Sequence, residues 1–269
     1  MTLDPGFITF AKGMRAFVYL YLLNPLNLFL THTPWWYTMT VFVIIGYFTV
    51  GLRFATITAL LLAFIGASGM WMHSMITLSS VLVSVLICFV IGVPLGIIAS
   101  YNKWYRDIQN VVLDAMQTLP YFCYLIPVLM FFGGNIVSAV IATVIYAVPP
   151  IIRLTALGLS QVSGTYSEVS RSFGGTGIQT LNKVKFPLAV PSLVMGFNQT
   201  VIMAFAMQIV TPLIGGKGLG LQVFNALQRS DTGRGLSAGL AIVLLAIIID
   251  RISHAWTKKQ RIALGLDKS

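Results

Sequence analysis

The chain has 269 residues, of which 57% are hydrophobic and 9% charged, and its formal charge is +10. An ordinary soluble domain carries roughly 25% charged residues, so this composition excludes a water-soluble enzyme or binding module. The positive balance fits Lys and Arg collecting on cytoplasmic loops, and the thin scatter of basic residues argues against a nucleic-acid surface.

No Asp, Glu, Lys or Arg occurs within residues 54–102, 115–152 or 186–216. Each run exceeds the ~20 apolar residues that cross a ~30 Å hydrocarbon core. The runs are continuous rather than alternating, which favours helices over a transmembrane barrel. The fold class is therefore all-α: a polytopic helical membrane protein with about seven transmembrane helices.

In chain order, residues 1–35 form an N-terminal interfacial or short membrane helix. Its apolar stretch 16–30 is short and holds Asn24 and Asn27, as suits a helix lying in the interface. No A-x-A-like site follows, so no cleavable signal peptide is expected. Spans at 36–51 and 56–71 make a pair of accessory helices over residues 36–73. A core transmembrane domain follows over residues 74–254, beginning with a span at 74–100. There Gly92 and Gly96 permit close helix approach, and Pro94 is expected to kink the segment. After polar residues 101–110, a fourth span interrupted by Pro120 and Pro127 reaches about Phe132. A fifth covers 135–154.

Residues 155–187 are a polar insert. The sixth span, 192–214, carries Asn198, Gln199 and Gln208, expected to share a face. Residues 215–235 read as a flexible re-entrant or gate loop, with Gly215, Gly216, Gly218 and Gly220 as its gate residues. The seventh span is 236–249. A basic tail at 255–269 holds Lys258, Lys259, Arg261 and Lys268.

Placing the tail and the insert in the cytoplasm puts Arg53, Lys103, Arg106, Arg153, Arg171, Lys183, Lys185 and Arg251 inside. Lys217, Arg229 and Arg234 are then outside. Asp114 and Asp250 sit at cytoplasmic span ends, where Arg106 and Arg251 are expected to neutralise them. Cys88 and Cys123 read as buried free thiols.

Catalysis has little to build on. The seven carboxylates and three histidines give no triad and no metal site. Gly215-Gly-Lys-Gly-Leu-Gly220 fails as a phosphate loop, because Lys217 is followed by Gly rather than Ser or Thr. Spans two, three, five and six have no ionisable group in their interiors, which a proton- or sodium-driven carrier needs. Tyr121, Phe122, Tyr124, Asn198, Gln199, Met203, Met207 and Gln208 are candidates for a permissive translocation path, with cation–π attraction available at the aromatic rings.

The insert is the most specific feature. Thr165 and Ser167 are expected to cap a short helix with Glu168 near its positive end. Val169 and Phe173 share a face, and Gly174-Gly175 ends the helix with Gly174 at positive φ. A second helix begins near Ile178, and Pro187 restarts the chain at the membrane. The sequence Glu168-Val-Ser-Arg-Ser-Phe-Gly174, followed by Val184, Phe186 and Pro187 in register, resembles the coupling-loop signature of permease subunits of binding-protein-dependent ABC importers. That signature is E-A-A, three residues, G, nine residues, I-x-L-P. Val169 and Ser170 depart from its alanines and Phe186 from its leucine. The resemblance extends over residues 74–254. Asp114-Ala-Met-Gln-Thr-Leu-Pro120, Tyr124-Leu-Ile-Pro127, Pro149-Pro-Ile-Ile-Arg-Leu154, Asn198-Gln-Thr200 and Ile214-Gly-Gly-Lys-Gly-Leu-Gly220 are similar to the glycine betaine, proline betaine and choline branch.

The resemblance implies a type I ABC importer permease fold in a bacterial or archaeal cytoplasmic membrane. It implies a second copy of the permease, two cytoplasmic ATPase subunits and a periplasmic or lipid-anchored substrate-binding protein as partners. ATP and Mg would sit on the ATPase, with no cofactor in this chain. Tyr166, Glu168, Val169, Ser170, Arg171, Phe173, Gly174 and Pro187 would be the ATPase-coupling residues. The expected cargo is a quaternary-amine compatible solute. An importer of an amino acid or another small zwitterion on the same architecture, a self-contained secondary carrier and a membrane enzyme are the alternatives.

Overall fold

The computed structural model describes residues 5–263; Lys268 of the expected basic tail lies outside the described residues, as do the side chains of Lys258, Lys259 and Arg261. No strand occurs among the described residues. Helix α1 (Pro5–Phe17) passes through a π-helical turn, Val18–Leu23, into α2 (Asn24–His32). The resulting rod meets α3 (Trp35–Thr49) at 104°, so the amino-terminal stretch is one arm of a bent pair. Its Val18 and Leu23 are buried with Val83, Val137 and Val140, so this arm packs on the bundle.

Helices α3 and α4 (Leu52–Ala67) form a hairpin around Gly51, at φ +123°, and pack on the long carboxy-terminal helix. The core begins with α5 (Trp71–Tyr101), which runs unbroken through Pro94. Helices α6 (Lys103–Thr118) and α7 (Phe122–Phe132) meet at 99°. Pro120 explains the break, since it cannot continue the backbone ladder and holds Leu119 extended, at ψ 131°. The expected fourth span is therefore a broken pair. Helices α8 (Ile136–Ala147) and α9 (Pro149–Gln161) follow one another as a single apolar rod, with Pro149 and Pro150 tolerated at the start of α9.

After α9 comes the short helix α10 (Gly164–Ser172). Then α11 (Gly177–Thr180), a π-helical turn (Leu181–Lys185) and α12 (Phe186–Met207) form one rod. Pro187 lies inside that rod rather than restarting the chain. The polar insert is accordingly shorter than 155–187, because both flanking spans extend into it. A 3-10 turn (Thr211–Ile214) leads to α13 (Leu219–Arg229) and α14 (Thr232–Ala263). The expected Gly-rich loop thus contains a three-turn helix.

Four of these helices are long and apolar enough to cross a membrane, six counting each bent pair as one span, and α4 is a shorter apolar helix. The structure is in this sense consistent with about seven spans. The core sits where α9 packs between α5 and α12, with α14 against α12. Glycines set these crossings. A Cβ at Gly92 would stand 2.4 Å from Ile151 Cγ2, one at Gly96 2.7 Å from the Ile152 carbonyl oxygen, and one at Gly158 2.6 Å from Ser192 Cβ. Small residues admit this approach and gain dispersion contact where lipid offers no hydrophobic drive. Cys88 is buried, whereas Cys123 is exposed on α7, correcting the reading of two buried thiols.

Candidate functional site

Two ends of the molecule are fixed by contacts to α5. At its amino-terminal end, the backbone N–H of Leu219 donates to Thr77 Oγ1 at 2.8 Å. At its carboxy-terminal end, Lys185 Nζ lies 4.8 Å from the centroid of the Tyr101 ring. Thr77 and Tyr101 are about 36 Å apart along the helix at 1.5 Å per residue, more than the ~30 Å hydrocarbon core. The insert and the glycine segment therefore lie at opposite ends of the bundle.

At the insert end, α10 is a knob with no buried residue. Its cap is Ser163, whose Oγ accepts from the Thr165 N–H at 3.3 Å, rather than Thr165 or Ser167. Glu168 lies beyond the first turn, so its expected placement at the positive helix end does not hold. Tyr166, Val169 and Phe173 are 55%, 50% and 89% exposed at three- and four-residue spacing, an apolar stripe on one side of a helix that nothing among the described residues covers. Glu168 and Arg171 are also exposed.

Ser170, in the second alanine position of the motif, turns the other way: its Oγ is 2.9 Å from Thr180 Oγ1, tying the knob to the rod behind it. A capping box between Thr176 and Gln179 starts that rod. The knob ends as a Schellman turn, with the Gly175 N–H donating to the Ser170 carbonyl at 2.9 Å and Gly174 at φ +76°. A Cβ on Gly174 would meet nothing within 4 Å, so the demand for glycine there is one of backbone conformation rather than of space inside the chain. Pro187 is half-buried at the base.

At the opposite end, the gate glycines are packed. A Cβ would come within 2.6 Å of the Asn135 nitrogen at Gly215, 2.6 Å of Thr211 Oγ1 at Gly216, 2.4 Å of Thr77 Oγ1 at Gly218 and 1.8 Å of the Gln208 carbonyl oxygen at Gly220. This corrects the expectation of a flexible loop. The segment is clamped between α5, the start of α8 and the end of α12. Beside it, Gln222 joins His73 Nδ1 at 3.3 Å and accepts from Arg234 Nε at 2.9 Å, a polar bridge between α5, α13 and α14 that sequence reading missed.

The expected path residues divide. Asn198 is 3% exposed and neither polar atom of its carboxamide has a partner. Gln199 is exposed, on a stripe with Met195, Ile202, Ala206 and Ile209. The two amides therefore point to different sides of α12, not to a shared face. Gln208 is 2% exposed and donates to Thr143 Oγ1 at 3.5 Å, while Met207 is buried and Met203 half-buried. The aromatic residues do meet. Tyr121 lies 4.8 Å from Phe122 and 6.2 Å from Tyr146, and Tyr124 lies 6.3 Å from Tyr146, centroid to centroid. The Tyr124 hydroxyl donates to the Met116 carbonyl across the α6–α7 break. Tyr146, on α8, is the member missed; its place beside Tyr121 depends on that break.

The acidic residues also find other partners than expected. Asp114 pairs with Arg153 Nη2 of α9 at 2.7 Å, not with Arg106. Asp250 lies 3.3 Å from His254 Nε2, one turn along α14, not beside Arg251.

A family model described as binding-protein-dependent transport system inner membrane component matches residues 92–262. The chain is 42% identical over 241 residues to the glycine betaine/proline betaine transport system permease protein ProW of Escherichia coli (strain K12), covering 90% of this chain and 68% of that protein. It is 39% identical over 256 residues to the glycine betaine transport system permease protein OpuAB of Bacillus subtilis (strain 168), covering 94% and 88%. The glycine betaine/carnitine transport permease protein GbuB of Listeria monocytogenes is 46% identical over 191 residues, covering 71% and 68%. Among solved structures, an inward-facing conformation of the MetNI methionine ABC transporter matches with a TM-score of 0.57 at 23% identity, covering 71% of this chain and 93% of that one, a likeness of fold.

Proposed function

The chain belongs to the family of binding-protein-dependent transport system inner membrane components, and from that membership we propose that it is the permease subunit of an ATP-driven importer for a quaternary-amine compatible solute such as glycine betaine, proline betaine or choline. It is a multi-pass transport subunit of the inner membrane. The observation that carries the importer mechanism is the knob: an exposed helix with an uncovered apolar stripe, seated between two rigid rods that run into the bundle.

In this reading, Tyr166, Val169 and Phe173 enter a groove on a cytoplasmic ATPase. Glu168 and Arg171 make the polar contacts at its rim, and Gly174 and Ser170 keep the knob's shape. The base at Pro187 passes movement into α12. Two permeases pair, two ATPases bind ATP and Mg, and a binding protein delivers solute at the glycine end. Because the knob continues through α11 into α12, a pull on it tilts a helix that reaches the opposite face, as rocking of rigid bundles requires. Tyr121, Phe122, Tyr124, Asn198, Gln199, Met203, Met207 and Gln208 remain the candidate path, Asn198 acting inside the bundle and Gln199 on its open face. The names of the three permeases above support the substrate class.

The test is reconstitution. The chain alone in liposomes gives no gradient-driven glycine betaine uptake, and uptake begins on adding its ATPase, its binding protein and ATP. Uptake driven by an ion gradient without ATPase overturns the reading.

A further inference from the structure

We propose that Arg234, Gln222 and His73 form a one-way hydrogen-bond latch on the glycine segment, closed only while His73 is neutral, so that acid releases it at the end of the bundle opposite the knob. The segment meets α5 over one helical turn. A Cβ added to Gly218 would stand 3.0 Å from the His73 carbonyl oxygen, and the Leu219 N–H donates to Thr77 Oγ1 at 2.8 Å. Three residues further on, Gln222 is 5% exposed and spans the gap between the His73 ring and Arg234, near the start of α14.

The direction of the chain follows from its donors. A guanidinium only donates, so Arg234 Nε, 2.9 Å away, holds the Gln222 oxygen towards itself. The Gln222 amide nitrogen then faces His73 Nδ1 at 3.3 Å. That nitrogen also only donates, so Nδ1 must offer a lone pair. A neutral ring with its proton on Nε2 does so; an imidazolium does not, because both its nitrogens donate. Turning the amide over gives no escape, since its NH2 would then meet Arg234. Protonation therefore sets two donors face to face at a buried carboxamide, which costs more than the bond it removes. Histidine is the side chain whose charge ordinarily changes between about pH 5 and 8.

No neighbouring group offsets that charge. The elements packed around this part of α5 bring His32 on α2, Arg53 on α4, Lys217 before α13, Arg229 on α13, Asp231 before α14 and Arg234 on α14. His32, Lys217 and Arg229 are exposed, and Arg53 lies at the far end of its helix. Asp231 accepts from the Arg234 backbone N–H at 3.0 Å. No carboxylate stands within 4 Å of His73 among the described residues. The other charges of α6, α9 and α14 lie towards the knob end.

The experiment measures amide hydrogen exchange of residues 215–222 in the purified full chain in detergent, at about pH 7.5 and about pH 5.5, either side of the ordinary histidine range. Each rate is divided by that of an unstructured peptide of the same sequence. The corrected exchange is expected to be about three- to tenfold faster in acid, the range of one net hydrogen bond. His73→Asn keeps an acceptor near the Nδ1 position without a titrating proton, and is expected to exchange slowly at both pH values. Gln222→Glu offers acceptors to both Arg234 and an imidazolium, and is expected to abolish or reverse the acid response. The latch is overturned by a wild-type rate that ignores pH, by an equal acid response in His73→Asn, or by a Gln222→Glu chain that loosens in acid as the wild type does. These readouts do not depend on what the chain carries, so the importer reading stands or falls separately, by reconstitution.

Discussion

Replacing Gly174 separates the shape of the knob from its fit. The residue sits at φ +76°, a region that costs a residue with a Cβ roughly 1–2 kcal/mol, and no atom of the chain lies within 4 Å of the added Cβ. The penalty is thus conformational. A nine-residue helix is marginal on its own, and if its formed state leads by about 1 kcal/mol it is populated about 85% of the time. Ala at 174 would reduce that population to between about 50% and 15%, and coupled transport would fall about two- to fivefold. Asn tolerates the left-handed region better than Ala, so the expected order is Gly, Asn, Ala, Val. The assay is the ratio of solute taken up to ATP hydrolysed in proteoliposomes, alongside hydrogen exchange of the knob amides. An order that follows side-chain size, with Asn worse than Ala, would refute the backbone argument and place the constraint in the partner's groove.

Phe173→Ala removes the most exposed ring of the stripe, so stability of the chain should change by no more than about 0.5 kcal/mol. ATPase association should weaken on the order of 30-fold or more, as for a docking anchor, measured by titrating solubilised permease with the ATPase. Equal affinity would exclude the stripe as the docking surface. Gly220→Ala drives a Cβ to 1.8 Å from a main-chain oxygen, which no rotamer change relieves; about 1–3 kcal/mol of destabilisation is expected by thermal melting in detergent. Thr77→Val, which strands the Leu219 N–H, should cost about 1–3 kcal/mol and Thr77→Ser much less. An unchanged melt for either Gly220→Ala or Thr77→Val would show that the segment is looser than its packing indicates. The Arg153–Asp114 pair is substantially exposed, at 39% and 64%, so a double-mutant cycle on stability should return below about 1 kcal/mol.

Much was legible because hydrocarbon imposes simple rules. Charge-free runs must be helices, and a polar gap between them must leave the membrane. That logic located the spans around Trp71–Tyr101 and Phe186–Met207 and isolated the insert. The glycine at positive φ in the knob was also readable, because a stop of the form Phe-Gly-Gly after a short polar helix has few conformational solutions. Within the insert, spacing showed that Val169 and Phe173 share a face, but not that Ser170 faces Thr180.

Composition and spacing by themselves determined an all-helical membrane bundle and set apart a polar insert whose short helix stops at Gly174. Only the tertiary structure decided which way the polar groups of α12 point, that the glycine segment is clamped, and that Asp114 meets Arg153. The physical reason is that these contacts join residues far apart in sequence, across crossings set by Gly92, Gly96 and Gly158 and across the break at Pro120. Periodicity along one helix places a residue on a face; it does not say which helix that face meets. Tyr146 is the clearest case: an unremarkable aromatic in an apolar run until α7 turns through 99° and brings two tyrosines to its side.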